Sequence, residues 1–444
     1  MPSKPSPDRS GLDQELVIRG GHLLTMDPAL GDLPCADVHV RGGAIVAVGP
    51  QLPAQGVPEL DARDMVVLPG FVDTHWHLWN SALRALVRGD DPVHGYFPVT
   101  LGAGPLFTPE DSYRSVRLGL AEGLLSGITT VHNWAHNTRS PEHADAELSA
   151  MADMGVRGRF AYGWGQEQPL AQPMDLSGLE GLQQRDLPSH LLTLGAAVRT
   201  PVSNPRGAVP IGVVSEECAR IRALGLPLTM HARPGVVSVL AEHGLLGPDL
   251  QLVHPQGMSP QDCALLAAAG TTMTCSPTIE MLYAQATRGV IQFHEMEEAG
   301  VHQSLSVDSS GASANADFFA CMRALLWSHK QRFGSRVPLT AQRLLRLATL
   351  DGARDLGLDH LVGSLTPGKR ADIQIVRATD PNLAPVFDPA HALVYSAQPG
   401  NVDTVLVDGR VLLRRSQPTR WDSADIVREA TESMRALARR HPLP

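Results

Sequence analysis

Eight short apolar segments recur through the middle of this chain, and most are separated by stretches long enough for a helix. They lie at residues 66–72, 128–131, 158–162, 191–194, 226–230, 250–253, 271–274 and 304–307. Strand and helix alternating in this way point to a parallel sheet covered by helices, because a parallel crossover needs a helix-length connection. Eight such units fit a closed (β/α)8, TIM-like barrel. The runner-up is an open doubly wound sheet. That fold would want a Gly-x-Gly-x-x-Gly phosphate loop after its first strand, and none stands there. One helix is marked clearly. Thr108-Pro109-Glu110-Asp111 supplies an N-cap, a first-turn proline and acids facing the helix dipole, and the helix runs to Leu125, before Gly127.

The two ends of the chain share a different texture. Residues 16–27 and 37–49 alternate apolar with polar around Gly-Gly pairs, and residues 370–376 and 403–414 do the same around Asp408-Gly409. Neither end has enough strands to bury both faces of a sheet. They are therefore expected to pair into one small β-sandwich domain, with the barrel as an insert. The expected organisation is a disordered tail (1–12), the N-terminal part of the sandwich (13–68), the barrel (69–362), the C-terminal part of the sandwich (363–416) and a closing amphipathic helix (417–444).

Composition narrows the function. With 43% hydrophobic and 19% charged residues over 444 positions, the chain reads as a soluble globular protein of enzyme size rather than a disordered or fibrous one. A formal charge of −9 argues against a nucleic-acid partner. The five cysteines never form a Cys-x-x-Cys pair, which disfavours both a disulfide framework and a thiolate metal site. No apolar run resembles a signal sequence or a spanning segment, so a cytoplasmic, membrane-free location is expected.

The 18 histidines carry the functional argument. The first barrel segment ends in Asp73-Thr-His75-Trp-His77, and side chains two apart on a strand share a face. His231, His254 and Asp308 each follow an apolar segment directly. A barrel gathers the C-terminal ends of its strands at one mouth, where active sites sit. Imidazoles and one carboxylate meeting there suit zinc, or a similar borderline divalent ion, with a position left for water. His136, and less so His132, flank the end of the second segment and are candidates to line the pocket. His22, His39, His243, His294, His302, His329, His360 and His391 are expected at the surface or at caps. Ser309-Ser310-Gly311 lacks the glycine that precedes a nucleophile elbow, so a serine hydrolase is disfavoured.

Three segments resemble one family. Val67-Leu-Pro-Gly-Phe-Val-Asp-Thr-His-Trp-His77, Val362-Gly-Ser-Leu-Thr-Pro-Gly-Lys-Arg-Ala-Asp-Ile373 and Asn401-Val-Asp-Thr-Val-Leu-Val-Asp-Gly-Arg410 are similar to motifs of the amidohydrolase superfamily. Within it, the likeness is to the branch of triazine hydrolases and of cytosine, guanine and adenosine-analogue deaminases. The resemblance implies a metal held by His75, His77, His231 and Asp308, with Asp308 also acting as general base and acid and His254 orienting water or substrate. It implies a single ion, because no lysine stands at the end of segment 191–194 to carry a bridging carboxylate. Zinc is the first expectation, with Fe2+ and Mn2+ as alternatives. A bound ion of this kind lowers the pKa of water from about 15.7 toward 7, making hydroxide available at neutral pH. The implied activity is hydrolysis of a non-peptide C–N bond in an amide, amidine or amino-heterocycle. A homo-oligomer is expected by the same likeness.

The sequence also departs from that branch. Its deaminases carry a glutamate three residues after the third metal histidine, and here that position is Pro234. Either Glu280 or His136 supplies the proton from another loop, or the substrate needs none there, as for an amide, amidine or good leaving group. Arg233 would suit an anionic substrate. Trp76, Trp79 and Asn80 are expected near the pocket wall, and Phe97, Trp134 and Trp164 are placed to shield a planar substrate. The alternatives are a heterocycle deaminase with a relocated proton donor, an amidohydrolase tailoring a modified peptide, and a non-catalytic barrel scaffold.

Overall fold

The computed structural model describes residues 15–440 apart from 54, 85, 89–90, 203–206, 283–288 and 314. The expected tail at 1–12 lies outside these residues. Two compact units are present: one of Met1–Val72, Leu124–Thr129 and Ala341–Arg420, the other of Asp73–Gly123, Thr130–Thr340 and Trp421–Pro444.

The first unit is organised by a nine-stranded sheet drawn from both ends of the chain. Its keystone is Met65–Pro69, which pairs in parallel with Leu16–Leu24 and antiparallel with Ile373–Arg377. Alternation along these strands sends Ile18, Val38, Val67, Ile373 and Leu406 into one apolar core. The Asp408-Gly409 turn forms as expected. Both residues have positive φ (52° and 76°), as a two-residue hairpin whose twist matches its strands requires.

The apolar segment 66–72 is divided between two sheets. Residues 66–68, within the span assigned to the sandwich, belong to this mixed sheet, and the first barrel strand begins only at Phe71. An apolar run states burial on both faces, and it does not state which sheet provides it.

Eight parallel strands form the barrel sheet: Phe71–Trp76, Ile128–Ala135, Arg157–Tyr162, Leu192–Val198, Leu228–His231, Leu250–Val253, Thr272–Cys275 and Gln303–Leu305. They neighbour one another in chain order. Closure is made by the residues of interest themselves. Trp76 bridges Asp308 in parallel, the His77 N–H donates to the Asp308 carbonyl at 2.7 Å, and the Asp308 N–H donates to the His75 carbonyl at 2.9 Å.

Local chemistry sets the helices between strands. The helix Pro109–Leu125 starts at a reciprocal cap, in which the Asp111 carboxylate accepts from the Thr108 N–H (2.9 Å) and the Thr108 hydroxyl accepts from the Asp111 N–H (3.2 Å). Ser259 and Asp262 cap Pro260–Ala269 in the same way, and left-handed Gly270 ends it. The closing helix spans Ser423–Arg440. No described helix is long and apolar enough to cross a membrane.

Candidate metal centre and active site

The side chains read at the strand ends meet at one mouth. His75, His231, His254 and Asp308 each offer one ligand atom, and these four atoms lie within 4.8 Å of one another. His77 stands beside them, with Nε2 3.2 Å from Asp308 Oδ1. His75 Nε2 is 3.4 Å from the same oxygen, and His254 Nε2 is 3.6 Å from Oδ2. Strand pleat explains the convergence: His75 and His77 alternate with Trp76, which is fully buried on the opposite side.

Backbone strain marks two of these positions. His254 and Asp308 have φ of 75° and 65°, in the left-handed region that non-glycine residues rarely enter. Such a conformation costs on the order of 1–3 kcal/mol per residue, and the surrounding structure must hold it in place. Asp308 is pinned by its two barrel-closing bonds, and His254 by its N–H to the Thr274 carbonyl at 3.0 Å.

Asp73 secures the closure from behind. Its buried carboxyl accepts from the His75 N–H (3.0 Å) and the Val307 N–H (3.1 Å), tying the first strand to the last. Burial pushes its pKa well above the usual carboxylate value. Sequence reasoning gave Asp73 no role. The available signal was its position two residues before His75, on the same strand face.

The electrostatics suit a cation. Burial, and then the neighbouring His77, depress the His75 pKa to about 3. Burial and the same neighbours hold His231 well below its ordinary value. Both imidazoles are therefore neutral at physiological pH, the form that binds metal. Burial alone would raise Asp308, but the His75 and His77 rings facing it hold its carboxyl well below the usual range. Both ring nitrogens of His75 are buried without a hydrogen-bond partner among the described residues. Orphaned polar atoms of this kind are costly unless something else satisfies them. The residues present fit a divalent ion.

The two flanks of the cluster differ. On one side His77 Nδ1 faces the Trp134 carbonyl at 3.4 Å, and His77 packs on His136 with ring centroids 4.2 Å apart. Trp134 lies edge-on to His231 at 3.9 Å and to Trp164 at 5.5 Å. The Trp79 indole N–H points at His136 Nδ1, 3.1 Å away. On the other side His254 Nδ1 is 3.1 Å from Glu280 Oε1. The Ser276 N–H also donates to Oε1 (2.8 Å), and the Cys275 thiol donates to Oε2 (3.0 Å). Glu280 is 1% exposed, so it stands behind His254.

The remaining expected residues are placed as follows. The Asn80 side chain donates to the Tyr96 hydroxyl (3.1 Å) and accepts from the Ser309 hydroxyl (2.9 Å), bracing the loop after the first strand. Arg233 is half-buried two residues past His231, and Pro234 beside it is exposed. Position 234 therefore carries no acid. Trp134 and Trp164 converge on the site, whereas Phe97 packs edge-on to Tyr96, with ring centroids 5.3 Å apart. His132 lies inside the barrel, its Nδ1 3.0 Å from the Thr74 carbonyl. His329, expected at the surface, is buried against the Val337 carbonyl.

The barrel and its mouth agree with what sequence comparison finds. The Amidohydrolase family profile matches residues 66–412, and the chain belongs to that family. It is accordingly a metal-dependent hydrolase of carbon–nitrogen bonds other than peptide bonds. The chain is 27% identical over 442 residues to a 5'-deoxyadenosine deaminase of Methanosarcina mazei, spanning 96% of this chain and 99% of the relative. It is 28% identical to a 5-methylthioadenosine/S-adenosylhomocysteine deaminase of Moorella thermoacetica, over 86% of this chain and 91% of the relative. Among solved structures, atrazine chlorohydrolase from Arthrobacter aurescens complexed with zinc superposes with a TM-score of 0.81 at 22% identity, over 94% of this chain and all of that one. At that identity the likeness speaks for the fold.

Proposed function

We propose that this chain is a zinc hydrolase that cleaves the exocyclic C–N bond of a small nitrogen heterocycle. The observation that carries the reading is the meeting of His75, His77, His231, His254 and Asp308 at the barrel mouth. Two relatives bear the names of deaminases of adenosine derivatives, which supports an amino-heterocycle as substrate.

His75, His77, His231 and Asp308 would hold the ion. When bound, it makes water acidic enough to react at neutral pH. Asp308 accepts the proton of the attacking water at a carboxylate oxygen and returns it to the departing nitrogen. The new C–O bond replaces the C–N bond, and ammonia or an amine leaves. Glu280 orients His254 beside Asp308, and His254 directs the water. Trp134 and Trp164 provide flat apolar walls that suit a planar ring.

A second reading has one observation in its favour. Pro234 cannot protonate a ring nitrogen, which favours an amide or amidine, including one in a modified peptide.

Zinc-loaded protein incubated with 6-aminopurine nucleosides, aminotriazines, and cyclic and linear amides separates the readings by ammonia release. Activity on the aminated rings supports the first reading, and activity on amides alone supports the second. Asp308→Asn is expected to lower kcat at least about 1,000-fold, the order seen when a central catalytic group is removed. Wild-type protein that takes up no stoichiometric metal, or an Asp308→Asn variant that keeps its rate, sinks both.

A further inference from the structure

The geometry points to His136 as a neutral hydrogen-bond donor to substrate, held in its Nε2–H tautomer by Trp79. The inference rests on the hydrolase reading above and deepens it. The substrate must present an acceptor to His136, namely a carbonyl oxygen or a ring-nitrogen lone pair next to the scissile carbon.

The tautomer follows from what an indole can do. An indole N–H donates and never accepts. At 3.1 Å from the Trp79 Nε1, His136 Nδ1 must therefore be the acceptor, bearing a lone pair and no proton. The ring proton then resides on Nε2. A protonated imidazole is excluded by the same contact, since its Nδ1–H would confront another N–H.

A competing contact does not overturn this. His136 Nδ1 is also 3.3 Å from the Trp134 carbonyl, which would call for an Nδ1–H. That carbonyl already faces His77 Nδ1 at 3.4 Å, whereas among the described residues the buried Trp79 N–H has only His136 as acceptor. Moving the proton to Nδ1 would serve a carbonyl that already faces another ring nitrogen and would strand an indole that has no other acceptor among the described residues.

Position gives the tautomer a use. His136 packs on His77, its ring centroid lies 5.7 Å from that of Trp164, and it is 8% exposed. Nε2 has no hydrogen-bond partner among the described residues. The Gln166 amide donates to the His136 carbonyl, fixing the backbone that aims the ring. Trp79 is itself locked, packed edge-on to Phe107 with centroids 5.3 Å apart among Leu83, Val99 and Leu437. A neutral N–H polarises an acceptor without surrendering its proton. This answers the gap at Pro234: the ring nitrogen or carbonyl is gripped, and the proton on the leaving group comes from Asp308.

Two independent measurements test the inference. The first needs no substrate. Zinc-loaded protein labelled with 15N-histidine is read by long-range 1H–15N correlation, with the His136 signals assigned by their loss in His136→Gln. A proton on Nε2 and a bare Nδ1 are expected, and Trp79→Phe should shift that pattern toward a mixture. An Nδ1-protonated ring in the wild type overturns the proposal. The second compares variants on whichever compound of the panel the wild type turns over. His136→Leu should lose about 100-fold in kcat/KM, the order for deleting one oriented donor. His136→Gln, which keeps an N–H near the Nε2 position, should recover most of it. Trp79→Phe should lose about 10-fold, at the lower end for an orienting partner, and lose nothing further in the His136→Gln background. Equal losses in the Leu and Gln variants would reduce His136 to packing. A panel in which the wild type converts nothing counts against the hydrolase reading, while the tautomer measurement still decides this one.

Discussion

The two sides of the metal cluster are built on opposite principles. Around His77 the neighbours are rings: His136, Trp134 and, one step out, Trp79 and Trp164. Around His254 the neighbours are a carboxylate and its donors: Glu280, Cys275 and Ser276. The first flank fixes shape and hydrogen-bond polarity without adding charge. The second sets an acidic side chain within hydrogen-bond distance of His254. On the proposed reading the comparison divides the tasks, with substrate recognition on the aromatic side and the orientation of His254 on the acidic side.

The aromatic flank can be broken from its outer strap. Arg199, just past the fourth strand, donates to the carbonyls of Pro169 (2.9 Å) and Gln172 and to Glu217 Oε1 (2.9 Å). Glu217 in turn accepts from the Met174 N–H at 2.8 Å. The loop so gathered begins at Trp164, whose ring lies 6.0 Å from the Arg199 guanidinium. Both members of the ion pair are buried, with side-chain exposures of 3% and 0%. Burial raises the Glu217 pKa despite Arg199 beside it. Arg199→Met leaves that carboxylate buried and unpaired, and should destabilise the fold by about 3–5 kcal/mol. Arg199→Met combined with Glu217→Gln should recover much of this. Urea denaturation of the two variants checks both expectations, and near-equal midpoints would show that the pair is not what holds the strap.

The acidic flank should respond in rate more than in stability. Glu280→Gln keeps the shape that meets His254 but removes the charge. A loss of about 10–100-fold in kcat is expected, the usual cost of deleting an outer-shell partner, with little change in KM. Bound zinc, measured by mass spectrometry, should stay near one per chain, because Glu280 touches only His254 among the clustered residues. A variant that instead sheds its zinc would place His254 among the ligands.

Much of this contrast was legible in the sequence, and the limits have physical causes. The strand-end residues His75, His77, His231, His254 and Asp308 could be read because a parallel barrel brings every strand's C-terminal end to one mouth, so position along a strand becomes position in space. The pairing of both chain ends was readable from strands too few to bury themselves. Loop contacts obey no such rule. Trp79 and His136 were each named as pocket residues, yet their hydrogen bond spans 57 residues and two loops whose paths no periodicity fixes. Glu280 was named as a candidate proton donor, and its place behind His254 depends on how the chain turns after Cys275. Asp73 lay inside the quoted motif and passed unnoticed, because a carboxylate bonded only to backbone N–H groups leaves no pattern of partner side chains.

The smallest expected effect lies behind the aromatic flank, on the outward face of the strand that carries Trp134. Asn133 points away from the site and donates to Glu147 Oε2 at 2.8 Å, within the helix Pro141–Met154. Glu147 is fully buried, and its other oxygen has no hydrogen-bond partner among the described residues. Burial pushes its pKa up to about 7, against the Asn133 bond, which lowers it. Below the unfolded value, near 4.5, both states are protonated and the group is neutral to stability. As pH rises above that value the unfolded chain releases its proton while the folded one keeps it, so the unfolded state binds fewer protons and stability falls. The fall proceeds at no more than about 1.4 kcal/mol per pH unit and levels off once the folded carboxyl ionises. Glu147→Gln should flatten this slope and stabilise the protein at pH 8 by on the order of 2 kcal/mol, while changing little at pH 4.5. Thermal melts of both proteins across that range provide the check. Since Asn133 and Trp134 are adjacent on one strand, a gain in stability with no change in kcat/KM would show that the ring wall holds its shape without help from the helix behind it.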